Sequence, residues 1–143
     1  MLEISYCGYR RDIGSFYRTR GNYEDECLKN DTFVIAVKDG CVVGALRLCY
    51  EEDVHVLRSM EVAPDHQRQG IGKEMLKMFN RHLGRCECWG IALAHLEKFY
   101  GRIDFRFVSD TCAPLHLRRR LYHCRIEEKR QNIRYKIMHR QAY

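Results

Sequence analysis

The most informative stretch of the chain is residues 60–76, which read MEVAPDHQRQGIGKEML. Its first residues end an apolar run with β periodicity, closed by Pro64, which predicts a strand over 54–62. Its last residues open a helix, because apolar side chains recur at helical spacing from Ile71 onward and Gly84 is placed as a C-terminal cap. The stretch therefore predicts a strand, a glycine-rich loop and an amphipathic helix in direct succession.

The loop from Gln67 to Gly72, with the sequence QRQGIG, has the chemistry of an anion-binding site. The N-terminus of a helix presents backbone N–H groups without intrahelical partners, and glycines let a diphosphate approach those groups closely. The loop lacks the Gly-x-Gly-x-x-Gly pattern of dinucleotide loops and the Gly-Lys-Ser/Thr ending of triphosphate loops. A glycine turn that only joins strand to helix is the alternative interpretation.

Further strand and helix patterns flank this stretch on both sides. Upstream, β-type runs at 33–37 and 41–48 surround Asp39-Gly40, which predicts a tight hairpin. A weakly alternating start, a helix-compatible stretch through Tyr17 and a polar segment rich in Asn, Asp and Glu precede the hairpin. Downstream we predict a strand over 86–91, a helix containing Phe99 and Tyr100, a strand over 105–108, a basic helix after Pro114 and a strand over 135–138.

The order of these elements predicts an α+β (α/β) fold with a mixed and mostly antiparallel central sheet flanked by helices. The chain has 143 residues, of which 45% are hydrophobic. This size and composition suffice to bury one core without disulfides or metals. We therefore expect a single domain over 1–143.

The eight cysteines lie in a chain without a recognisable signal peptide, Cys-x-x-Cys pair or zinc-ligand spacing, so we expect reduced thiols and no metal site. No apolar run approaches the roughly 18 residues of a membrane span, which predicts a soluble, cytoplasmic protein. The formal net charge is +6, and much of it lies in the segment 115–134. Such a charge suits several polyanions, of which a CoA diphosphate is one and RNA is another.

Residues 60–76 resemble the cofactor-binding motif of the GNAT superfamily of N-acyltransferases, a strand ending in Val-x-Pro followed by Gln/Arg-x-x-Gly-x-Gly/Ala. A second element follows at the expected distance, since residues 95–105, HLEKFYGRIDF, are similar to the family's Phe-Tyr-x-x-x-Gly-Phe element. With the hairpin before them and the final strand after them, the resemblance covers roughly residues 32–140. It implies a single GNAT-like domain that uses acetyl-CoA as cosubstrate.

The resemblance also implies where acetyl-CoA binds. Backbone groups of the strand near Glu61 and Val62 hold the pantetheine arm, and the amides of the glycine-rich loop hold the diphosphate. Arg68 and Lys73 add positive charge beside the loop. The implied cofactor-binding residues are Met60, Glu61, Val62, Gln67, Arg68, Gln69, Gly70, Ile71, Gly72 and Lys73.

The candidate catalytic residues are Tyr100 and Glu61. Tyr100 matches the family tyrosine that lies near the CoA sulfur, which implies a general acid for the departing thiolate; a core aromatic is the alternative. An attacking amine must lose a proton, so a base is also needed, and Glu51, Glu52 and His55 are further candidates. Simple strand parity turns Glu61 and His55 away from the apolar face of the strand, unless a bulge reverses it.

The chain departs from the family pattern at several positions. Asp104 stands where the family usually has Gly before Phe105, which leaves the conformation of that turn open. Leu93 stands where many members place an Asn that supports the cofactor. Val56 and Arg58 occupy strand positions from which some members draw a general base, and neither side chain serves easily as one.

These observations predict an N-acetyltransferase that moves an acetyl group from acetyl-CoA to a primary amine, on a small molecule or protein, by direct attack in a ternary complex. The basic segment 115–134 favours an acidic acceptor; nucleic acid is a less favoured partner, no membrane partner is expected, and a homodimer stays open. The alternative from another class is a noncatalytic module that binds CoA, or a partner through its basic surface. The missing strand carboxylate favours that alternative slightly.

Overall fold

A computed structural model describes residues 1–21 and 29–143 of the chain. The remaining part of the predicted polar segment, residues 22–28, lies outside the described residues. The described elements in chain order are β1 (Leu2–Cys7), α1 (Arg11–Thr19), β2 (Thr32–Lys38), β3 (Cys41–Glu51), β4 (Val54–Val62), α2 (Ile71–Leu83), β5 (Cys88–Leu93), α3 (Glu97–Gly101), β6 (Arg106–Val108), α4 (Leu115–Gln131) and β7 (Tyr135–Arg140).

The chain forms two compact units. The first unit comprises Met1–Tyr50 and Leu57–Gly84, and the second comprises Glu51–Val56 and Arg85–Tyr143. The predicted α+β class, a mixed sheet with flanking helices, is confirmed.

The first unit is built on the predicted hairpin of β2 and β3, which pair antiparallel, with β1 antiparallel on the other side of β2. Asp39 and Gly40 join the two strands with φ angles of 52° and 80°. Positive φ at both positions is the geometry of a type I′ turn, whose twist matches that of the strands it connects. The Asp39-Gly40 prediction is therefore confirmed at the level of backbone conformation.

The two faces of this hairpin bury different helices. Phe33 and Ile35 are fully buried and pack with Ile13 and Tyr17 of α1. On the opposite face, Gly44 lies under Met75 of α2, and a Cβ atom at position 44 would come within 3.0 Å of the Met75 Cε atom. Because such a distance is below normal contact, the missing side chain of Gly44 lets α2 lie close to the sheet.

The second unit contains β5, β7 and β6, paired antiparallel in that order. Helix α4 packs on β7 and β5 through Leu117 and Leu121, which are almost completely buried. Helix α3 begins at Glu97, later than its helical pattern predicts, because β5 extends to Leu93 and a 3-10 turn follows it. The existence and order of the downstream elements are confirmed.

Candidate active site

Strand β4 has the predicted bounds but is irregular at Ser59. Ser59 has a φ angle of 54°, a left-handed conformation inside a strand that otherwise runs extended. A non-glycine residue in this region costs about 1–3 kcal/mol and persists only where its surroundings hold it. The irregularity interrupts the alternation of side chains, so the faces of Met60, Glu61 and Val62 do not follow from the parity of the preceding residues.

A buried polar network holds Ser59 in this conformation. The Tyr17 hydroxyl donates to the Ser59 carbonyl oxygen at 2.7 Å, and an Arg47 Nη atom lies 3.5 Å from the Ser59 Oγ atom. The Arg47 guanidinium is completely buried and donates twice to one carboxylate oxygen of Asp31, at 2.9 and 2.5 Å. Sequence patterns do not reveal this network, because its members are polar residues of α1, β3, β4 and the segment before β2, with no common spacing.

Glu61, the candidate base, lies two residues after Ser59 and is half-buried. Burial raises the pKa of its carboxyl above the ordinary value, and the nearby Arg20 guanidinium partly opposes that rise. A carboxylate with a raised pKa accepts a proton more readily at neutral pH than a solvated one. The side chain therefore has the chemistry that a base requires.

The glycine-rich loop leaves the N-terminus of α2 open. Gly70 is the residue before the helix, with a φ angle of 81°, and a Cβ atom there would meet nothing within 4 Å. No side chain in the described part of the chain caps this end of the helix. The amides of Ile71, Gly72 and Lys73 belong to the first turn and have no intrahelical acceptor. An open turn of unpaired amides at a helix N-terminus fits a diphosphate.

Two glutamines stabilise the loop by donating hydrogen bonds from their side chains to backbone carbonyl oxygens. Gln67 donates from its side-chain amide to the Val62 carbonyl oxygen at 3.0 Å, and Gln69 donates to the Asp65 carbonyl oxygen at 3.4 Å. Gln67 thus ties the end of β4 to the start of the loop. Arg68 is exposed and also has a positive φ angle, 64°, so the loop contains two left-handed residues before α2.

Tyr100, the candidate acid, is a buried residue of α3 with 5% exposure. Its ring makes edge-to-face contacts with Phe99, at a centroid distance of 5.0 Å, and with Phe105, at 6.2 Å. These contacts fix the plane of the ring but do not involve the hydroxyl group. Both the catalytic and the core-aromatic interpretations are consistent with this packing.

The turn after α3 keeps the backbone conformation that a glycine would adopt. Asp104 has a φ angle of 73°, its amide donates to the Gly101 carbonyl oxygen, and the Phe105 amide donates to the Tyr100 carbonyl oxygen. This pair of hydrogen bonds is a Schellman motif, and the Phe105–Tyr100 ring contact is its usual apolar contact. The Asp-for-Gly departure therefore leaves the turn in place, at a conformational cost.

Replacing Asp104 with glycine is expected to raise stability. A left-handed residue other than glycine costs about 1–2 kcal/mol, whereas glycine loses about 0.5–1 kcal/mol through its greater freedom in the unfolded chain. The net gain should be about 0.5–1 kcal/mol in the free energy of unfolding, measured by urea denaturation. Asp104→Ala is the control and should not stabilise the protein; an equal gain for alanine would show that strain at this position is not the cause.

The predicted site residues are distributed over both units. Those from Met60 to Lys73 all lie in the first unit, and Tyr100 lies in the second. Glu51, an alternative base, lies in the second unit and is already engaged: its Oε1 atom is 3.2 Å from the His116 Nε2 atom and 2.7 Å from an Arg120 Nη atom. No sequence pattern indicates this cluster, because Glu51 and the start of α4 are far apart in the chain.

Neither a metal-binding cluster nor a candidate membrane-spanning helix occurs within the described ranges, 1–21 and 29–143. No group of three or more His, Cys, Asp or Glu side chains in those ranges is placed to hold a metal ion. No helix within them is both long enough and apolar enough to cross a membrane.

The described fold matches that of a class of proteins, the GNAT acyltransferases. Residues 29–107 match the family model described as "Acetyltransferase (GNAT) domain", which covers more than half of the chain. The protein belongs to the GNAT acetyltransferase family. No curated protein matches the sequence significantly.

Solved structures share the fold at low sequence identity. An acyl-CoA N-acyltransferase from Pseudomonas aeruginosa is 17% identical, with a TM-score of 0.66, over 98% of this chain and 99% of that one. The ribosomal-protein-S18-alanine N-acetyltransferase from Escherichia coli is 17% identical, with a TM-score of 0.64, over 98% of this chain and 93% of that one.

A third similar structure contains coenzyme A. The N-acetylglutamate synthase from Neisseria gonorrhoeae, complexed with coenzyme A and N-acetyl-glutamate, is 16% identical, with a TM-score of 0.66. The match covers all of this chain and 35% of the synthase, so the chain spans about a third of that protein.

Proposed function

We propose that residues 1–143 form one N-acetyltransferase domain, which transfers an acetyl group from acetyl-CoA to a primary amine. The observation that carries the proposal is the open N-terminus of α2 after β4. Among residues 1–21 and 29–143, no side chain caps its first-turn amides, and none lies within 4 Å of a Cβ atom placed on Gly70. The membership of the chain in the GNAT family supports CoA as the anion that this loop receives.

The proposed reaction is a direct acyl transfer. The amine nitrogen attacks the carbonyl carbon of the thioester, the carbon–nitrogen bond forms, and the carbon–sulfur bond breaks with its electron pair remaining on sulfur. We assign Tyr100 as the donor of the proton that the leaving thiolate takes up. We assign Glu61 as the acceptor of the proton that the amine loses, because burial raises the pKa of its carboxyl.

Residues near the loop have separate roles in this proposal. Backbone groups from Met60 to Val62 hold the pantetheine arm, and the amides between Gln67 and Lys73 hold the diphosphate. Arg68 and Lys73 supply charge, since both side chains are exposed beside the loop. The acceptor is a primary amine, and the basic segment 115–134 favours an acidic one. The seven described cysteines are free, which supports a reducing compartment such as the cytoplasm.

Binding of acetyl-CoA through the loop predicts the effect of Gly70→Ala. The added methyl group strains a left-handed residue and narrows the approach to the α2 amides, so the dissociation constant of acetyl-CoA, measured by calorimetry, should rise about tenfold or more. Gly84→Ala is a matched control at the other end of the same helix, since Gly84 also has a positive φ angle and open space around its Cα. It should lose at least as much stability and keep its affinity, since Gly84 has a ψ angle of −125°, which a residue with a side chain adopts less readily than the left-handed conformation of Gly70.

Equal loss of affinity in the two variants would contradict the assignment of the loop. Thiol release from acetyl-CoA in the presence of a panel of primary amines then tests the chemistry separately. A protein that binds acetyl-CoA through Gly70 but releases thiol with no amine would be a CoA-binding module and not an enzyme.

A further inference from the structure

Helix α4 carries apolar side chains on two opposite faces. Leu117 and Leu121 are buried against the sheet of the second unit. Leu115, Tyr122 and Ile126 are large apolar residues with exposures of 53%, 73% and 56%. A surface helix normally needs only the first of these two faces, because one apolar stripe is enough to attach it to the core.

The exposed apolar residues form one line along the helix. At about 100° per residue, Leu115, Tyr122 and Ile126 project within an arc of about 40°, and the line is about 16 Å long. It spans about three turns of the helix. We call the surface formed by these three residues and the neighbouring Arg118, Arg119, Lys129 and Arg130 the α4 outer face.

Basic side chains border this line on both sides. Helical spacing places Arg118 and Lys129 along one edge and Arg119 and Arg130 along the other. All four are exposed, and no Asp or Glu of α4 falls within the arc they enclose. Arg130 lies 3.8 Å from Glu127, whereas the other three cations make no ion pair with the residues that the structure describes.

The other arginines of the helix are engaged elsewhere. Arg120 pairs with Glu51, and Arg125 pairs with Asp110 and Glu128. Arg125 also donates to the Tyr135 carbonyl oxygen, which ties α4 to β7. The basic segment is thus divided between arginines that hold the second unit together and cations whose charge is presented outward.

We propose that the α4 outer face is a docking surface for an acidic polypeptide segment with apolar anchors, such as an amphipathic helix with glutamates beside its apolar stripe. A line of three apolar side chains matches the spacing by which such a helix is bound. The bordering cations complement carboxylates on the partner. The proposal goes beyond the proposed function, since it holds whether or not the partner is acetylated.

Charge and apolarity together select this occupant. A second copy of the chain related by a two-fold axis would place the same arginines against each other, which is repulsive. A nucleic acid would pair its phosphates with the cations but would leave Leu115 and Ile126 without apolar contacts. An acidic amphipathic segment provides apolar contacts for the line of exposed apolar residues and carboxylates for the cations on both sides of it.

The test uses the full chain and a synthetic helical peptide of about four turns, with leucines at helical spacing and glutamates on both sides of them. Fluorescence anisotropy at physiological ionic strength measures its dissociation constant. The double variant Tyr122→Ser, Ile126→Ser should weaken binding about tenfold or more, because it removes the central anchors. Arg118→Glu with Arg119→Glu should weaken it by a comparable factor, and this second loss should shrink as salt is added.

The matched control is Arg11→Glu with Arg85→Glu, which changes the net charge equally at two exposed arginines outside α4 and should leave binding within about twofold. Circular dichroism checks that each variant is folded. The proposal is overturned if the peptide does not bind, if a scrambled peptide of the same composition binds equally, or if the control pair weakens binding as much. Tighter binding of a single-stranded RNA, or a dimer in sedimentation that Tyr122→Ser with Ile126→Ser dissociates, would also overturn it.

Discussion

Tyr100→Phe is expected to lower kcat for acetyl transfer by at least about 100-fold, because a general acid contributes about 100- to 10,000-fold to a rate. The affinity for acetyl-CoA should stay the same, since the ring that packs against Phe99 and Phe105 is retained and only the hydroxyl is lost. Thiol release gives kcat, and calorimetry gives the dissociation constant. The separation of the two quantities is the signature of an acid that acts in the transition state.

Tyr135→Phe is the matched control for this experiment. Tyr135 is a half-buried tyrosine of the second unit whose pKa is raised, chiefly by burial. Removing its hydroxyl should leave kcat unchanged. If Tyr100→Phe also retains full kcat, Tyr100 is a core aromatic, and the proton for the thiolate comes from another donor or from water.

Asp31→Ala is expected to lower the free energy of unfolding by about 3–5 kcal/mol, because it removes a buried carboxylate that accepts two hydrogen bonds from a buried guanidinium. The side chains of Arg47 and Asp31 are 0% and 6% exposed, so water cannot replace the lost partner. Urea denaturation monitored by circular dichroism measures the change. Such a loss is a large fraction of the stability of a domain of this size.

The exposed pair of Arg10 and Asp12 provides the comparison. Their atoms approach to 2.6 Å, close to the distance in the buried pair, but the side chains are 47% and 46% exposed. Asp12→Ala should therefore cost under about 1 kcal/mol. Replacing both buried partners, Asp31→Leu with Arg47→Met, should restore part of the loss. A cost for Asp31→Ala no greater than that for Asp12→Ala would show that the buried pair does not stabilise the fold.

Most of the fold was predictable because its signals are local. The bounds of β4, the Asp39-Gly40 turn and the Gly84 cap follow from periodicity and from residues that favour positive φ. The conformation at Ser59 was not predictable, because serine has no preference for it and the groups that hold it come from Tyr17 and Arg47, distant in the chain.

In the candidate site, the sequence indicates the glycine-rich loop more clearly than it indicates the base. The loop from Gln67 to Lys73 was predicted from sequence as an anion site, because glycines before a helix let an anion approach the backbone amides whatever the neighbouring side chains are. This assignment stays a prediction. The face on which Glu61 lies could not be predicted, because the left-handed conformation of Ser59 interrupts the alternation of side chains along β4. The contact of Glu51 with His116 also joins residues that no pattern relates.

Gly44 affects the position of the glycine-rich loop without contacting it, because it sets how closely α2 approaches the sheet. With no side chain there, Met75 rests on the backbone of β3, and the first turn of α2 lies one helical turn before Met75. The distance between β3 and α2 at this point therefore depends on the residue at position 44. An engineer who wished to shift the first-turn amides of α2 by fractions of an ångström would replace Gly44 and leave the loop sequence intact.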